Sequence, residues 1–257
     1  WVREYDNVFG ADIAKAIRVD NKENIYITGS SWDGSIAKEN YVTIKYDSTG
    51  NQKWLREYDN AFGPDIANDL EIHNKGNVFV TGSAWDGSIA KENYVTIKYD
   101  SSGNQKWLKE YDNVFGADIA NDMEIDKYGN VYVTGSSWNG SVANEDYVTI
   151  KYDSAGNRIW GIEYSNGHGA DYSNAIGLDS IGNVYVTGQV DGGISNNDFA
   201  TIKYCTPPVV TVAADTVAVC PGDSAQLEVF GGASYSWYTT TGISNPDISN
   251  PKVLPAS

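Results

Sequence analysis

The sequence predicts an all-β chain: a β-propeller-type array of four-stranded antiparallel blades, followed by a smaller β unit. Three observations predict it. A unit of 53 residues occurs four times, each copy holds four short strand patterns, and no stretch shows helical periodicity.

The repeat is set by Trp1, Trp54, Trp107 and Trp160, which stand at a constant interval of 53 residues. The first three copies are nearly identical. The fourth has drifted: Asp191 replaces the tryptophan found at Trp138, and one residue is missing before Phe199. In the second copy, Ile66, Leu70 and Ile72 share one face of the first strand. Val78–Thr81 is rich in β-branched and aromatic residues, Val95, Ile97 and Tyr99 share a face of the third strand, and Trp107–Tyr111 alternates again. Asn74-Lys75-Gly76-Asn77 and Asp100-Ser101-Ser102-Gly103-Asn104 supply the Gly and Asn of tight turns. Four antiparallel strands at a period near 50 fit propeller blades, because a single such sheet exposes both faces and stacking buries them.

The expected blades are 11–59, 64–112, 117–164 and 170–204, with 1–6 as an extra last strand. That strand could close the final blade or belong to an open arc of a larger ring. The arc is favoured because four-bladed rings are uncommon. GNVYVTG, DYVTIKYDSAGN and the following Trp resemble the bacterial SBBP β-propeller repeat family across residues 1–204. That resemblance implies a ring of seven blades, of which four repeats are present.

Composition shifts at Cys205-Thr206-Pro207-Pro208, which marks a boundary. In residues 205–257, Cys220-Pro221-Gly222-Asp223-Ser224, the alternating Ala225–Val229, and Tyr235-Ser236-Trp237 resemble Ig-like modules of secreted and gliding-associated bacterial surface proteins. The resemblance implies a partial Ig-like β-sandwich whose remaining strands belong to a longer parent chain with further domains. It also implies export to the outer surface of a bacterium or beyond. Cys205 and Cys220 could form a disulfide in an oxidising compartment, pair elsewhere, or remain thiols.

The chain has 34 acidic and 18 basic side chains, a net charge of −16. Such a field repels phosphate backbones, so nucleic acid is not an expected partner. No apolar run reaches the length of a membrane helix, so this segment is not expected to insert in a membrane.

Catalysis is not expected. His73 and His168 read as a solvated turn residue and an exposed loop residue. The acids recur in every copy, as Asp12, Asp65, Asp118 and Asp171 at one position and Asp47, Asp100 and Asp153 at another. Turn chemistry explains a repeated acid better than a catalytic pair does. Asp47, Gly50 and Trp54 are similar to the Trp-docking motif of quinoprotein propellers, but the spacing is one residue short. No zinc spacing occurs, and Asp20–Asn24 does not match a calcium loop. No metal and no cofactor are therefore expected.

In each blade the tight turns join strands one to two and three to four, so they share one face, and the longer loops share the other. In the second copy these loops are 58–65 and 83–93. The long-loop face carries the candidate ligand-binding residues Trp32, Asp33, Trp85, Asp86, Trp138 and Asn139. Flat aromatics beside hydrogen-bonding groups suit sugar rings, whereas a structural reading has each Trp pinning its own loop. The functional expectation is a non-catalytic extracellular binding or adhesion scaffold for an unknown surface glycan or protein. The alternatives are the propeller portion of an exported glycan-active enzyme and a purely structural stalk.

Overall fold

The computed structural model describes residues 1–205 except 8–9, 35–37, 61–62, 88–90, 114, 141–144 and 194–195. Beyond 205 it describes 211–212, 225–226, 229–230, 244 and 252–253. Blade one is β1 (Asp12–Val19), β2 (Ile25–Trp32), β3 (Glu39–Tyr46) and β4 (Gln52–Tyr58). Blade two is β5 (Asp65–Ile72), β6 (Val78–Trp85), β7 (Glu92–Tyr99) and β8 (Gln105–Tyr111). Blade three is β9 (Asp118–Ile125), β10 (Val131–Trp138), β11 (Glu145–Tyr152) and β12 (Arg158–Tyr164). Blade four is β13 (Tyr172–Leu178), β14 (Val184–Asp191) and β15 (Asn197–Tyr204). Each blade is an antiparallel sheet in chain order, and the fourth has three strands among the described residues. The described residues hold no helix.

Blades stack in sequence: the first strand of each lies against the first three strands of the blade before it. The apolar residues that alternate along that first strand are what the stack buries. Leu70, Met123 and Ile176 occupy one repeat position and are 0%, 1% and 8% exposed, whereas Ile17 of blade one is 57% exposed. Burial of each such side chain stabilises the stack by about 1.5–3 kcal/mol.

Aromatic rings fill the outer part of each junction. Trp54, Trp107 and Trp160 each lie between an aromatic ring of their own blade's second strand (Tyr26, Phe79, Tyr132) and a tyrosine of the next blade's third strand (Tyr99, Tyr152, Tyr204). The centroid separations run from 5.8 to 6.3 Å. The Trp54 indole also donates to the carbonyl of Ser101 in the next blade.

The tight turns follow the expected chemistry. Asp100 Oδ1 accepts the backbone N–H groups of Ser102 and Asn104, each at 2.9 Å, and Gly103 takes φ +80°. These hydrogen bonds, that to Asn104 first, hold the Asp100 carboxyl below its usual range. Asp100→Ala is expected to lower the melting temperature with unchanged ultraviolet circular dichroism. An unchanged melt would show the cap to be dispensable.

Three expectations need correction. Residues 1–6, read as an extra last strand, pair with no sheet: a strand needs a neighbour for its N–H and C=O groups, and Trp1–Tyr5 meet blade one through side chains instead. The second strands run further than their sequence suggests. Ser83, Ala84 and Trp85 belong to β6 rather than to a loop, because β7 pairs with them through to Trp85 opposite Glu92. His73 is not solvated. It is 6% exposed, with Nε2 3.1 Å from the Lys127 carbonyl of the next blade.

Residues Cys205–Ser257 form a separate compact unit. Its described strands are β16 (Thr211–Val212) paired with β18 (Val229–Phe230), and β17 (Ala225–Gln226) paired with β19 (Lys252–Val253), both antiparallel. Cys205 is an exposed free thiol, and Cys220 lies outside the described residues.

Candidate functional site: the long-loop face

The loop entering each blade and the loop joining its second and third strands meet on one face. An aspartate opening the first strand pins them, in every blade through the N–H of the Asn five residues before it and in blades two and four also through the N–H that closes the second strand. Asp65, at the start of β5, accepts the Asn60 N–H at 2.8 Å through Oδ2 and the Trp85 N–H at 3.3 Å through Oδ1. The Asn60 side-chain amide donates to the Trp85 carbonyl. Asn7, Asn113 and Asn166 repeat the second contact at Trp32, Trp138 and Asp191. The repeated acids of the Asp12, Asp65, Asp118 and Asp171 position therefore tie long loops to the sheet; they do not sit in tight turns. Burial pushes the Asp65 carboxyl up to about 7 and that of Asp118 up to about 6, against the pull of the Asn60 and Trp85 N–H groups on the first and of the Ser137 hydroxyl and Asn113 N–H on the second.

Trp32, Trp85 and Trp138 close their second strands and are half-buried. Each indole lies over a glycine of the loop entering its blade. A Cβ on Gly63 would come within 2.7–3.0 Å of Trp85, and one on Gly10 within 3.0–3.1 Å of Trp32. Gly116 and Trp138 repeat the contact. Each indole thus covers the loop that enters its blade, and the part of each ring left uncovered remains at the surface.

The neighbouring acids are bridged by lysine. Lys38 Nζ lies 2.9 Å from Asp59 and 3.3 Å from Asp33, and Lys91 Nζ lies 2.9 Å from Asp112 and 3.4 Å from Asp86. The hydrogen bond to Asp59, and then that to Asp33, holds the Lys38 ammonium above its usual range. In blade three, Asn139 donates to Asp146 at 2.8 Å. Trp, acid or amide, and a polar partner thus stand together in each of the first three blades.

Blade four separates two roles that coincide in the others. Asp191 occupies the tryptophan position, yet its N–H still reaches Asp171 at 3.0 Å and its carbonyl still accepts from Asn166 at 2.5 Å. The loop is therefore held by backbone contacts without an indole.

A second cluster escaped the sequence reading. One position of the first strand holds Ala16, Asp69, Asp122 and Ala175 in the four copies. Stacking puts the Asp69 and Asp122 carboxyls in hydrogen-bond contact, with Arg18 3.2 Å from Asp69 and 2.7 Å from Glu71. Burial first, and then the hydrogen bond with Asp122, push the Asp69 carboxyl up to about 7, while Arg18 opposes the shift. Both acids also tie blades together: Asp69 accepts the Met123 N–H at 3.2 Å, and Asp122 the Ile176 N–H at 2.8 Å. The signal was available as one of the first-strand positions at which the copies disagree in charge.

Among the described residues, no group of three or more His, Cys, Asp and Glu side chains is arranged to hold a metal ion. His168 lies exposed in its loop. Among the described residues no helix is long and apolar enough to cross a membrane.

No protein-family model matches the chain, and no curated protein matches it in sequence. Solved structures do. A streptogramin B lyase is similar over 76% of this chain and 55% of its own, at 13% identity and a TM-score of 0.42. An exo-1,5-α-L-arabinanase from a bovine ruminal metagenomic library is similar over 73% and 69%, at 10% identity and 0.37. A polysaccharide lyase is similar over 94% and 57%, at 12% identity and 0.38. The chain thus spans little more than half of the first of these. Likeness at this level carries no activity to the present chain.

Proposed function

We propose that the array is a non-catalytic binding scaffold displayed outside a bacterial cell, and that its long-loop face takes a glycan. The observation that carries the reading is the comparison of blade four with the others. The loop pin works without tryptophan, so Trp32, Trp85 and Trp138 supply something beyond loop closure. A half-buried indole beside Asp33, Asp86 or Asn139 offers a flat apolar face next to hydrogen-bonding groups, which is what a sugar ring fits. Three such stations at the blade interval favour an extended, multivalent ligand. The SBBP-type and Ig-like resemblances support export and display.

The test is a glycan array probed with the whole chain and with a Trp32→Ala/Trp85→Ala/Trp138→Ala variant. Binding is expected to fall by about tenfold or more in a variant that still melts cooperatively, since each stacked ring contributes about 1 kcal/mol. Equal binding by both proteins would remove the long-loop face from consideration. No binding by either would sink the glycan reading and leave a protein ligand or a structural stalk.

A glycan-active enzyme is favoured by one observation, the unrepeated Asp69–Asp122 pair. Two adjoining carboxyls with one held protonated near neutrality are a recurring catalytic arrangement. The commitment of both acids to backbone amides of the next blade supports the structural role instead. Release of reducing sugar that Asp122→Asn abolishes would reverse the choice.

A further inference from the structure

The two faces of the array differ in charge. In the second copy, segments 57–65 and 85–93 of the long-loop face hold Glu57, Asp59, Asp65, Asp86 and Glu92 against Lys91 alone. The tight-turn face inverts the balance: segments 72–77 and 98–106 hold Lys75, Lys98 and Lys106 against Asp100. The two faces are a strand length apart, roughly 25 Å, which exceeds the screening length of about 8 Å at physiological salt. Lysines of the tight-turn face therefore lie outside most of the field set up by the net charge of −16.

On that face a groove of about 380 Å³ runs between blades one and two, a volume within the roughly 300–1,000 Å³ of small-molecule sites. Lys22, Lys45 and Lys75 line it, with Asp20 as its one carboxylate. Both Asp20 oxygens are already committed. Oδ1 accepts the Lys22 and Asn24 N–H groups, and Oδ2 accepts the Asn24 amide and the Tyr26 hydroxyl. Glu23 does not line the groove. The acids of the adjoining turns, Asp47 and Asp100, lie 3.8 Å from Lys53 and 4.0 Å from Lys106. Among the described residues, none of the three groove lysines forms an ion pair. Lys45 Nζ is held 4.9 Å over the Tyr26 ring and 3.3 Å from the Ser101 carbonyl of blade two. Burial keeps that ammonium below its usual range; Asp20 opposes the shift, and Lys22 and Lys53 add to it.

The groove owes its charge to one departure from the repeat. The first tight turn opens with Asp20, Asp126 and Asp179 in three copies, and with His73 in blade two. His73 meets the Lys127 carbonyl of blade three through Nε2 and brings no carboxylate. The corresponding groove between blades three and four keeps both aspartates, Asp126 and Asp179, adds Glu124, and has Lys127 as its one lysine. We infer that the groove between blades one and two binds a phosphoryl group. Three ammonium groups against one carboxylate leave two positive charges unmatched. A phosphate monoester carries about −1.5 to −2 near neutrality and so matches them, whereas a carboxylate or a sulfate ester carries a single charge. The site lies on the face opposite to Trp32, Trp85 and Trp138 and does not depend on the role proposed for them.

The test is calorimetric titration of the whole chain with inorganic phosphate and with glucosyl phosphate, at low ionic strength and about pH 7.5, where both are largely dianions. The wild type is expected to bind saturably and to melt higher with either ligand present. Lys22 and Lys75 are exposed, so a Lys22→Gln/Lys75→Gln variant is expected to fold and to bind about tenfold more weakly or worse. His73→Asp restores the residue that caps this turn in the other copies, as Asp126 does for the Tyr128 and Asn130 N–H groups, so it is expected to fold and to lose binding by a similar factor. Lys127→Gln, in the acidic groove, is expected to bind as the wild type does. Tighter binding of glucosyl phosphate would identify a sugar-borne phosphoryl group, and equal binding the free anion. Neither heat nor a rise in melting temperature with either ligand overturns the inference. So does glucuronate, a sugar with a single charge, if it binds as tightly, or a Lys22→Gln/Lys75→Gln variant that binds no more weakly than Lys127→Gln.

Discussion

Gly135→Ala is expected to lower the melting temperature by about 10 °C, from a loss of about 3 kcal/mol or more in a β unit of this size. The residue lies mid-strand in β10, where it faces the irregularity in β9 between Ala120 and Asp122. A Cβ there would overlap the Ile119 carbonyl oxygen, 2.8 Å from Ala120 Cα and 2.7 Å from the Tyr94 hydroxyl. Neither backbone neighbour can yield without breaking the β9–β10 ladder, and moving Tyr94 opens the junction between blades two and three. Gly29, Gly82 and Gly188 hold the same position in the other blades and meet the same first-strand carbonyl. Gly177→Ala is the control. It lies in β13 with nothing within 4 Å of the added carbon, so alanine there should be neutral or about 0.5 kcal/mol stabilising. If Gly135→Ala melts with the wild type, the close approach of strand and bulge does not determine stability.

That glycine also shows what the sequence made legible. The interval of 53, the alternation in each strand and the Gly and Asn of the tight turns led to the blade order, because each depends only on local chemistry or on its own repetition. Features created by one blade lying on another were harder to read. His73 looked solvated because turn residues usually are, and only the following blade's Lys127 covers it. Ser83 and Ala84 are weak strand formers, and pairing with β7 overrides their preference. Asp12, Asp65, Asp118 and Asp171 were legible as structural acids, but their partners, 5 and 20 residues away in sequence, were not. Asp69 and Asp122 were hidden by the repeat itself: the eye collects what the copies share, and this pair exists only where they differ.

The array is expected to be more stable near pH 5 than near pH 8, by about 3 kcal/mol, or about 5–10 °C in melting temperature. Asp65 and Asp69 are pushed up to about 7 and Asp118 to about 6, in each case chiefly by burial. An ordinary aspartate in the unfolded chain ionises near 3.9. Below that pH all three carry their protons in both states, and the folded state's preference for the neutral form counts in full. As pH rises towards 7 the unfolded chain ionises first, and that stabilisation is lost progressively until the folded groups ionise too. The turn acids oppose this trend at the acid end. Asp20, Asp47, Asp100, Asp153 and Asp179 lie below their usual range, so their contribution is present above about pH 4 and is lost beneath it. The two groups together place the maximum between about pH 4 and 6. The net charge of −16 gives a similar slope through surface repulsion. Salt at about 0.5 M screens that repulsion and leaves the buried acids largely unscreened, so the melts belong at that ionic strength. Asp69→Asn then isolates the pair. Its amide donates to Asp122 as the protonated carboxyl does but cannot ionise, so the decline from pH 5 to pH 8 should shrink by about a third, the share of one of three comparable groups. A variant with the full wild-type slope would mean that Asp69 titrates as an ordinary surface acid, and the buried carboxyl pair would no longer account for the pH dependence of the stack.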